Sequence, residues 1–138
     1  MSVIDLNPKA KFGDEKVPLH LFPPVAMELI ALVMKNGAEK YGPYNWRLTK
    51  VKSSTYYAAM LRHLTAYFEG QDIDPESGKP HLAHVAASVC ILLDADSKGC
   101  LIDDRPPQPI DMEVGELTQA MREKSANVLF DQIKRLKT

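Results

Sequence analysis

Residues 69–84 have the sequence Glu-Gly-Gln-Asp-Ile-Asp-Pro-Glu-Ser-Gly-Lys-Pro-His-Leu-Ala-His. Helical patterns flank the acidic, turn-rich first part of this stretch: one runs from residues 53–55 to Glu69, the other from Pro80 to Ser97. Because the intervening loop is short, the end of the first helix and the start of the second must lie side by side. The stretch therefore predicts an antiparallel helical hairpin with polar residues at its looped end.

The rest of the chain extends this hairpin to an all-α fold of four helices. Residues 25–41 follow a Pro-Pro pair and carry apolar residues at helical spacing, and residues 111–136 have the pattern of a last helix. Residues 1–22 show no sustained period, so we expect an irregular N-terminal arm there. Strand signals are absent, which leaves the hairpin as the centre of the fold.

The length of 138 residues suits one domain with a hydrophobic core. We expect residues 1–100 to form the catalytic helical domain. The three charges and three prolines of residues 101–109 indicate a linker. Residues 101–138 are therefore predicted to form a linker and a C-terminal helix that packs on the same domain or on a partner subunit.

Charge and composition exclude several classes of protein. The net charge of −1, from 17 basic and 18 acidic residues, gives no overall field for binding nucleic acid or an anionic membrane. No apolar run approaches the roughly 18 to 20 residues of a membrane span, and residues 1–12 lack the apolar core of a signal peptide. Two cysteines are too few for a disulfide framework. We therefore expect a soluble cytoplasmic protein without nucleic-acid or membrane partners.

Helical spacing assigns buried and polar faces to the hairpin. On the first helix, Leu61, Leu64 and Phe68 form the predicted core stripe. On the second, Asp94 lies roughly 20 Å from His81 along the helix axis, at 1.5 Å per residue. We therefore expect Asp94 to lie in solvent or at an interface, outside any compact site that contains His81.

The looped end of the hairpin has the residue types of a metal site. When the hairpin closes, Glu69 comes level with His81 and His84. The oxygen donors of Asp72 and Asp74 add hard ligands, which favour Mg²⁺ or Mn²⁺ over structural zinc. The alternative is that these carboxylates are simply the exposed residues of a turn that Asp74 initiates.

Cations and a flat aromatic group lie near the same end. Asn45 and Trp46 follow a turn and suit recognition of a planar base or a sugar, although Trp46 could equally fill the core beneath the loop. No serine or cysteine stands beside a histidine in a recognisable way, which disfavours acyl transfer and favours metal-assisted hydrolysis of phosphate esters. The predicted phosphate-binding residues are Lys40, Arg47, Arg62 and Lys79.

Several motifs occur in a defined order between residues 12 and 96. They are Leu-x-Leu-x-Pro-Pro (19–24), Gly-Ala-Glu-Lys-Tyr-Gly (37–42), Asn-Trp (45–46), Arg-His-Leu (62–64), Glu-Gly-x-Asp-x-Asp-Pro-Glu-Ser-Gly (69–78) and His-Leu-Ala-His (81–84). With these motifs the chain resembles a phage and bacterial family of dATP/dGTP diphosphohydrolases. That family is related to the all-α MazG-like nucleoside triphosphate pyrophosphohydrolases.

The resemblance implies a fold and an activity. It implies a MazG-like four-helix arrangement, a Mg²⁺ or Mn²⁺ cofactor, and a homodimer or dimer of dimers with shared sites. It also implies hydrolysis of a purine (d)NTP to the monophosphate. Release of pyrophosphate is the expected route, and stepwise removal of phosphate is the alternative. Because the chain is similar to dGTP-hydrolysing enzymes of phages with 2-aminoadenine genomes, dGTP is the favoured substrate.

The motif that binds metal in MazG-like enzymes departs from the usual carboxylates here. Those enzymes use Glu-x-x-Glu on one helix and Glu-x-x-Asp on the next, and the second motif aligns with His81-x-x-His84. The first falls at His63-x-x-Ala66 or at Ala66-x-x-Glu69. The predicted metal ligands are Glu69, Asp72, His81, His84 and Glu39, and the predicted catalytic residues are Glu69, His63 and His81.

Two other hypotheses stay open at this point. A non-catalytic helical module could use Trp46 and the basic loop for nucleotide sensing or regulation. Alternatively, the histidines could hold a structural zinc ion, whose removal would unfold the protein.

Overall fold

The computed structural model describes residues 7–107 and single positions between residues 119 and 135. Contacts divide the chain into two units, Met1–Asp104 and Arg105–Thr138. In the first unit the helices are α1 (Pro8–Gly13), α2 (Pro24–Tyr41), α3 (Asn45–Leu48), α4 (Ser53–Phe68) and α5 (His81–Ser97), with a 3₁₀ turn at Leu19–Leu21 and strands β1 (Val51–Lys52) and β2 (Leu101–Ile102).

The N-terminal arm is more ordered than its lack of period predicts. Asn7 caps α1 by accepting a hydrogen bond from the Lys9 N–H at 3.0 Å, and Pro8 occupies the first helical position. The prediction of an irregular arm is therefore wrong for Pro8–Gly13 and for the 3₁₀ turn. Local capping chemistry, which needs no long apolar period, accounts for the difference.

The core lies where α2 packs on α5. Val33 of α2 is buried against Ala83 and Ala87 of α5, and the partly buried side chains of Leu29 and Ile30 pack on this cluster. Alanines four residues apart lie on one face of a helix, so they let the two helices approach closely. This packing positions the first turns of α5 beside the middle of α2.

The antiparallel arrangement of α4 and α5 is fixed at both ends. The loop joins them at one end. At the other, β1 precedes α4 and pairs in parallel with β2, which follows α5. The Val51 N–H also donates to the Cys100 carbonyl at 3.1 Å. The predicted central hairpin is thus present, whereas the prediction that strands are absent is wrong, because two-residue strands are too short to show a period of two.

The start of α4 is capped from a distant part of the chain. The N-cap position is Lys52, whose side chain makes no capping hydrogen bond. Instead, the Ser54 N–H donates to Asp104 at 2.8 Å, and the Ser54 hydroxyl donates to the same carboxylate. Residues after β2 therefore hold the first turn of α4.

The predicted core stripe of α4 is exposed. Leu61 and Leu64 retain 44% and 40% of their accessible surface, and Phe68 retains 88%. The prediction of a buried stripe is therefore wrong within this chain, since α5 covers a different face of α4. A row of apolar side chains on one helix is left open.

The C-terminal unit is described at only a few positions. Most of the predicted last helix, residues 111–136, lies outside the described residues. Within it, the Gln119 side-chain amide donates to Glu123 at 2.9 Å, one helical turn away. In the part of the chain that the structure covers, no helix has the length and apolar character that a membrane span requires.

Candidate functional site

The loop between α4 and α5 is a compact turn built around Asp74. The Asp74 N–H donates to the Lys79 carbonyl at 2.9 Å, and the Gly78 N–H donates to the Asp74 carbonyl at 2.8 Å. The Asp74 carboxylate folds back to accept the Glu76 N–H at 3.1 Å. Gly78 has a φ of 70°, a left-handed conformation that glycine adopts without a steric cost. Turn chemistry thus directs the Asp74 side chain into the hairpin.

The same loop sets the start of α5. The His81 N–H donates to the Asp72 carbonyl at 2.9 Å, and Ile73 pairs with Pro80 in an antiparallel bridge. Pro80 is the N-cap residue of α5, so the helix begins at His81. The first turn of α5 is consequently held against the last turns of α4, where His63 lies.

Three histidines meet at this junction with Asp74; we call these four residues the histidine cluster. The rings of His63 and His84 are stacked, with centroids 4.3 Å apart and planes 5° apart. The Nδ1 atoms of His63 and His81 lie 2.8 Å apart. One ligand atom each from His63, Asp74 and His84 lies within 4.8 Å of the others. The cluster therefore brings two imidazole nitrogens and one carboxylate oxygen close together.

Neighbouring polar side chains complete the cluster. Gln71 Oε1 accepts a hydrogen bond from His81 Nε2 at 2.8 Å. Ser77 Oγ lies 2.7 Å from His84 Nε2 and donates to the Asp74 carboxylate at 3.0 Å. The expectation that no serine stands beside a histidine is therefore wrong, because the turn brings Ser77 back across seven residues of sequence.

Burial shifts the pKa values of the cluster. Desolvation lowers the pKa of His63 and His84, and the neighbouring imidazoles lower them further. For Asp74, burial opposes ionisation, but the hydrogen bonds from Glu76 and Ser77 outweigh it and lower the pKa. Neutral imidazoles beside an ionised carboxylate are the protonation states in which these groups bind metal.

The donor set fits a divalent metal. His81 is 4% exposed, and the side chains of His84 and Asp74 are 17% and 14% exposed, so these groups are largely withdrawn from water. Two imidazoles and a carboxylate leave coordination positions open for substrate or water, as in catalytic sites. The residue types present therefore suit the divalent cation that the sequence predicts. His63 and Asp74 lie beside His84, whereas the ligands predicted with His84 are Glu39, Glu69, Asp72 and His81.

A second polar group lies farther along α5; we call Tyr44, Trp46, Arg47 and Asp94 the aromatic clamp. Asp94 accepts the Trp46 Nε1–H at 2.7 Å and two guanidinium N–H groups of Arg47 at 2.8 and 2.7 Å. The Arg47 guanidinium, followed by Trp46, lowers the pKa of Asp94 to about 2. Asp94 therefore has partners within the chain that the sequence does not predict, although its side chain remains 28% exposed.

Tyr44 adds an aromatic surface to this clamp. Its ring centroid lies 5.2 Å from that of Trp46, and the Arg47 guanidinium lies 4.5 Å above it. Tyr44 has a φ of 54°, a left-handed conformation that is strained for a residue with a side chain. Backbone strain of this kind concentrates at ligand-binding positions.

A cleft of ≈ 540 Å³ connects the two groups of residues. Asp94 and Trp46 line it at one end, and His84 lines it at the other. The tyrosine rings of Tyr41 and Tyr44 border the cleft and are 71% and 57% exposed. This volume and aromatic lining lie in the range of small-molecule and cofactor sites.

The structure brings some of the residues predicted from sequence together and leaves others apart. His63, His81 and His84 meet in the cluster, and Asn45 and Trp46 line the cleft. The predicted ligands outside the cluster are exposed: Glu39, Glu69 and Asp72.

The four predicted phosphate ligands differ in their surroundings. Lys40 forms an exposed pair with Glu76 at 3.9 Å, and its charge contributes to lowering the pKa of His84, after desolvation and His81. Arg62 similarly acts on His63. The guanidinium of Arg47 is engaged by Asp94. The fourth, Lys79, lies in the loop and donates its backbone N–H to Ser77.

Sequence reasoning missed four participants: Gln71, Ser77, Tyr44 and Asp94. The Asp-Pro-x-Ser order of the loop was a usable signal for Ser77, because Asp and Ser three residues apart commonly share a turn. Asp94 gave no such signal, since its partners are 47 and 48 positions away in sequence.

Comparison with known proteins gives consistent matches. Residues 6–105 match the sequence model of a family described as dATP/dGTP diphosphohydrolase, N-terminal. A curated dATP/dGTP diphosphohydrolase of Salmonella phage PMBT28 is 32% identical over 96 residues, which cover 70% of this chain and 30% of that protein. The chain thus spans less than a third of the length of this relative. No solved structure gives a match.

Proposed function

Because the chain belongs to the dATP/dGTP diphosphohydrolase family, we propose that it hydrolyses purine deoxynucleoside triphosphates, with dGTP favoured, to the monophosphate and pyrophosphate. The observation that carries the proposal is the position of His84. It lies in the candidate metal cluster and also lines the cleft that reaches the aromatic clamp. A nucleotide in the cleft can therefore present its phosphates to the cluster while its base lies among aromatic rings.

The base is assigned to the clamp end of the cleft. Tyr41 and Tyr44 present exposed rings there, and offset stacking of aromatic rings is worth about 0.5–1.5 kcal/mol beyond area burial. Asn45 also lines the cleft, and its amide can both donate and accept hydrogen bonds to a purine edge or a sugar. Trp46 also lines the cleft. Its indole N–H is already engaged by Asp94, so its contribution is the aromatic surface.

The phosphates are assigned to the cluster end. A divalent cation such as Mg²⁺ or Mn²⁺, held by the cluster, would supply Lewis-acid activation for attack of water on the α-phosphate. Lys40 and Arg62 would neutralise phosphate charge. The effect of Lys40 on the pKa of His84, and of Arg62 on the pKa of His63, supports this assignment. With its Nδ1 bound to His63 and its Nε2 bound to Gln71, His81 is a positioning residue in this proposal.

A panel of nucleotides tests the proposal directly. The chain is incubated with each dNTP and with Mg²⁺ or Mn²⁺, and the products are separated by ion-exchange chromatography. We expect dGMP and pyrophosphate from dGTP, and less product from the pyrimidine nucleotides. Release of dGDP and inorganic phosphate would contradict the reaction type, and no product from any nucleotide would favour the non-catalytic binding module.

We further propose that the active form is a homodimer or a dimer of dimers. The open apolar row on α4, with Leu61, Leu64 and Phe68, is the surface that supports this proposal. Light scattering of the eluting protein measures its mass, and Leu64→Glu should shift the mass toward the monomer. A wild-type chain that elutes as a monomer at all concentrations would contradict it.

A further inference from the structure

We propose that the hydroxyls of Tyr56 and Ser88 bind the sugar 3′-hydroxyl of a deoxynucleotide in the middle of the cleft. The two residues thereby select nucleotides that carry a free 3′-hydroxyl over those that lack one. The inference names a sugar subsite of the proposed hydrolase, and in that sense it rests on the proposed function. Its test includes nucleotide binding without hydrolysis, so the two can fail separately.

Tyr56 and Ser88 lie level with each other along the hairpin of α4 and α5. His63 and His81 fix the register of these antiparallel helices, since their Nδ1 atoms lie 2.8 Å apart. Tyr56 precedes His63 by seven residues and Ser88 follows His81 by seven residues, and positions seven apart lie on nearly the same face of a helix. Both side chains line the cleft. The two residues therefore meet the cleft at one level, roughly 10 Å along the hairpin from the contact between the histidines.

This level of the cleft lies between the ends assigned to the phosphates and to the base. Along α5, Ser88 follows His84 by four residues, about 6 Å, and precedes Asp94 by six residues, about 9 Å. His84 and Asp94 line the same cleft. In a nucleotide the sugar joins the phosphate to the base. Phosphates at the histidine cluster and a base at the aromatic clamp therefore leave the sugar beside Tyr56 and Ser88.

The two hydroxyls are available to a ligand. Both side chains are half-buried, and among the residues that the structure describes neither hydroxyl has a hydrogen-bond partner. Their neighbours in the cleft include Ala87 and Ile91, whose side chains have no polar atom. A partly buried hydroxyl gains most from a ligand that supplies the missing hydrogen bond. In a mostly apolar pocket, a few such polar groups fix the orientation of the ligand and determine specificity.

The pair can serve one sugar hydroxyl as donor and acceptor. Burial, followed by the neighbouring Tyr41, raises the pKa of Tyr56, so the phenol keeps its proton at neutral pH and can donate it. The Ser88 hydroxyl can accept. A 2′-deoxyribose in a 5′-nucleotide carries one free hydroxyl, on C3′, which can accept from the first and donate to the second. A ligand without that hydroxyl leaves both protein hydroxyls unpaired beneath it.

The first experiment compares dGTP with 2′,3′-dideoxy-GTP as substrates. We expect kcat/KM of the wild type to be about 10- to 100-fold higher for dGTP. Tyr56→Phe and Ser88→Ala should each lower kcat/KM for dGTP and leave that for the dideoxynucleotide nearly unchanged, so the ratio should approach one in the double variant. The matched control is Tyr57→Phe, which changes an exposed neighbour on α4 and should keep the wild-type ratio. An unchanged ratio in the double variant would overturn the subsite.

The Tyr56→Phe variant separates recognition from folding. It keeps the ring and removes a hydroxyl that has no partner among the described residues. The free energy of unfolding should therefore stay at the wild-type value, which urea denaturation measures. A residue that only packs would change kcat/KM for both nucleotides by the same factor, whereas loss of a contact with the 3′-hydroxyl changes their ratio.

Binding of monophosphates tests the subsite without hydrolysis. Isothermal titration calorimetry measures the Kd of dGMP and of 2′,3′-dideoxy-GMP. The wild type should bind dGMP about 10- to 100-fold more tightly, and Tyr56→Phe should show a smaller difference. Equal Kd values for the two monophosphates in the wild type would overturn the subsite.

The two measurements together distinguish the subsite from the proposed function. The expected difference in Kd, without hydrolysis of any dNTP, would leave the subsite standing and overturn the proposed function. Hydrolysis of dGTP and of 2′,3′-dideoxy-GTP with equal kcat/KM would overturn the subsite and leave the proposed function standing.

Discussion

The histidine cluster and the aromatic clamp both attach a loop to α5, about 15 Å apart between His84 and Asp94 at 1.5 Å per residue, but different forces hold them. The clamp is a closed ion pair in which one carboxylate accepts three N–H groups from Trp46 and Arg47. The cluster is held by hydrogen bonds among groups whose low histidine pKa values favour the neutral state. The clamp is thus satisfied internally, whereas the cluster brings potential ligand atoms of His63, Asp74 and His84 within 4.8 Å of one another.

Because of this difference, we expect the clamp to maintain the shape of the cleft and the cluster to take part in the chemistry. A saturated carboxylate suits the support of a binding surface, because it has little capacity left for a ligand. A group of neutral imidazoles beside an ionised aspartate suits a cation and responds to pH. Variants in the two regions should therefore affect different kinetic and thermodynamic quantities.

The largest effect is expected from Asp74→Asn. Loss of the only carboxylate in the described cluster should lower kcat/KM for dGTP by more than about 100-fold, because metal polarisation contributes several kcal/mol to such reactions. Steady-state kinetics with Mn²⁺ gives the value. The matched control is Asp72→Asn, which changes an exposed aspartate two positions away. It is informative because the sequence predicts Asp72 as the ligand. An equal loss of kcat/KM in Asp72→Asn and Asp74→Asn would contradict the assignment of Asp74, rather than Asp72, to the site.

A smaller effect is expected from Asp94→Ala. Freeing Trp46 and Arg47 should disorder the base-binding end of the cleft and raise KM for dGTP about tenfold, with kcat changed much less, as expected when uniform binding is lost. The matched control is Asp96→Ala, an exposed aspartate one half-turn farther along α5. If kcat instead fell while KM stayed constant, the clamp would belong to the chemical step.

The pH dependence of stability should come from the cluster. The folded-state pKa values of His63 and His84 lie below the unfolded value of about 6.5, so the unfolded chain binds protons first as the pH falls. The free energy of unfolding of the metal-free protein should therefore be greatest above pH 6.5 and decrease below it. Urea midpoints between pH 5 and 8 measure this.

The double variant His63→Gln and His84→Gln provides the control for that titration. It removes the two histidines whose pKa values are lowered in the folded state, so the decrease below pH 6.5 should become shallower. The same slope in the variant and the wild type would assign the pH dependence to other residues.

The smallest effect is expected from Tyr44→Gly. Glycine relieves the left-handed backbone at a gain of about 1–2 kcal/mol, and loss of the ring contacts costs about 0.5–1.5 kcal/mol. The free energy of unfolding should therefore change by no more than about 1.5 kcal/mol, while KM for dGTP rises. Tyr57 is an exposed tyrosine inside α4 and has no left-handed backbone to relieve. Tyr57→Gly should therefore lower the free energy of unfolding by more than Tyr44→Gly does. A larger loss at Tyr44 than at Tyr57 would contradict the strain argument.

The parts of the fold that sequence predicts are the ones set by local chemistry. The hairpin follows from turn residues and flanking helical periods, and those features bring His63, His81 and His84 together. The direction of each loop carboxylate is not predicted by local chemistry of this kind. Backbone hydrogen bonds turn the Asp74 side chain inward and leave Asp72 exposed. Spacing alone contains no information on that choice.

Two features of the structure are not predicted from the sequence, for the same physical reason. A helical wheel shows that Leu61, Leu64 and Phe68 share a face, but it does not show which surface covers that face. Likewise, helix length correctly separates Asp94 from His81, yet it gives no sign that Trp46 and Arg47 reach Asp94 from another helix. Both depend on contacts between residues distant in sequence, which a single sequence without aligned relatives does not reveal.

The hydrogen bonds from Ser54 to Asp104 determine where the chain leaves its first unit. Along α4, His63 lies ten positions beyond Ser53, or roughly 15 Å from the end that Asp104 caps. Any segment joined after Asp104 therefore starts remote from the loop that carries Asp74. A fusion partner attached directly after Asp104 would therefore begin roughly 15 Å from the histidine cluster.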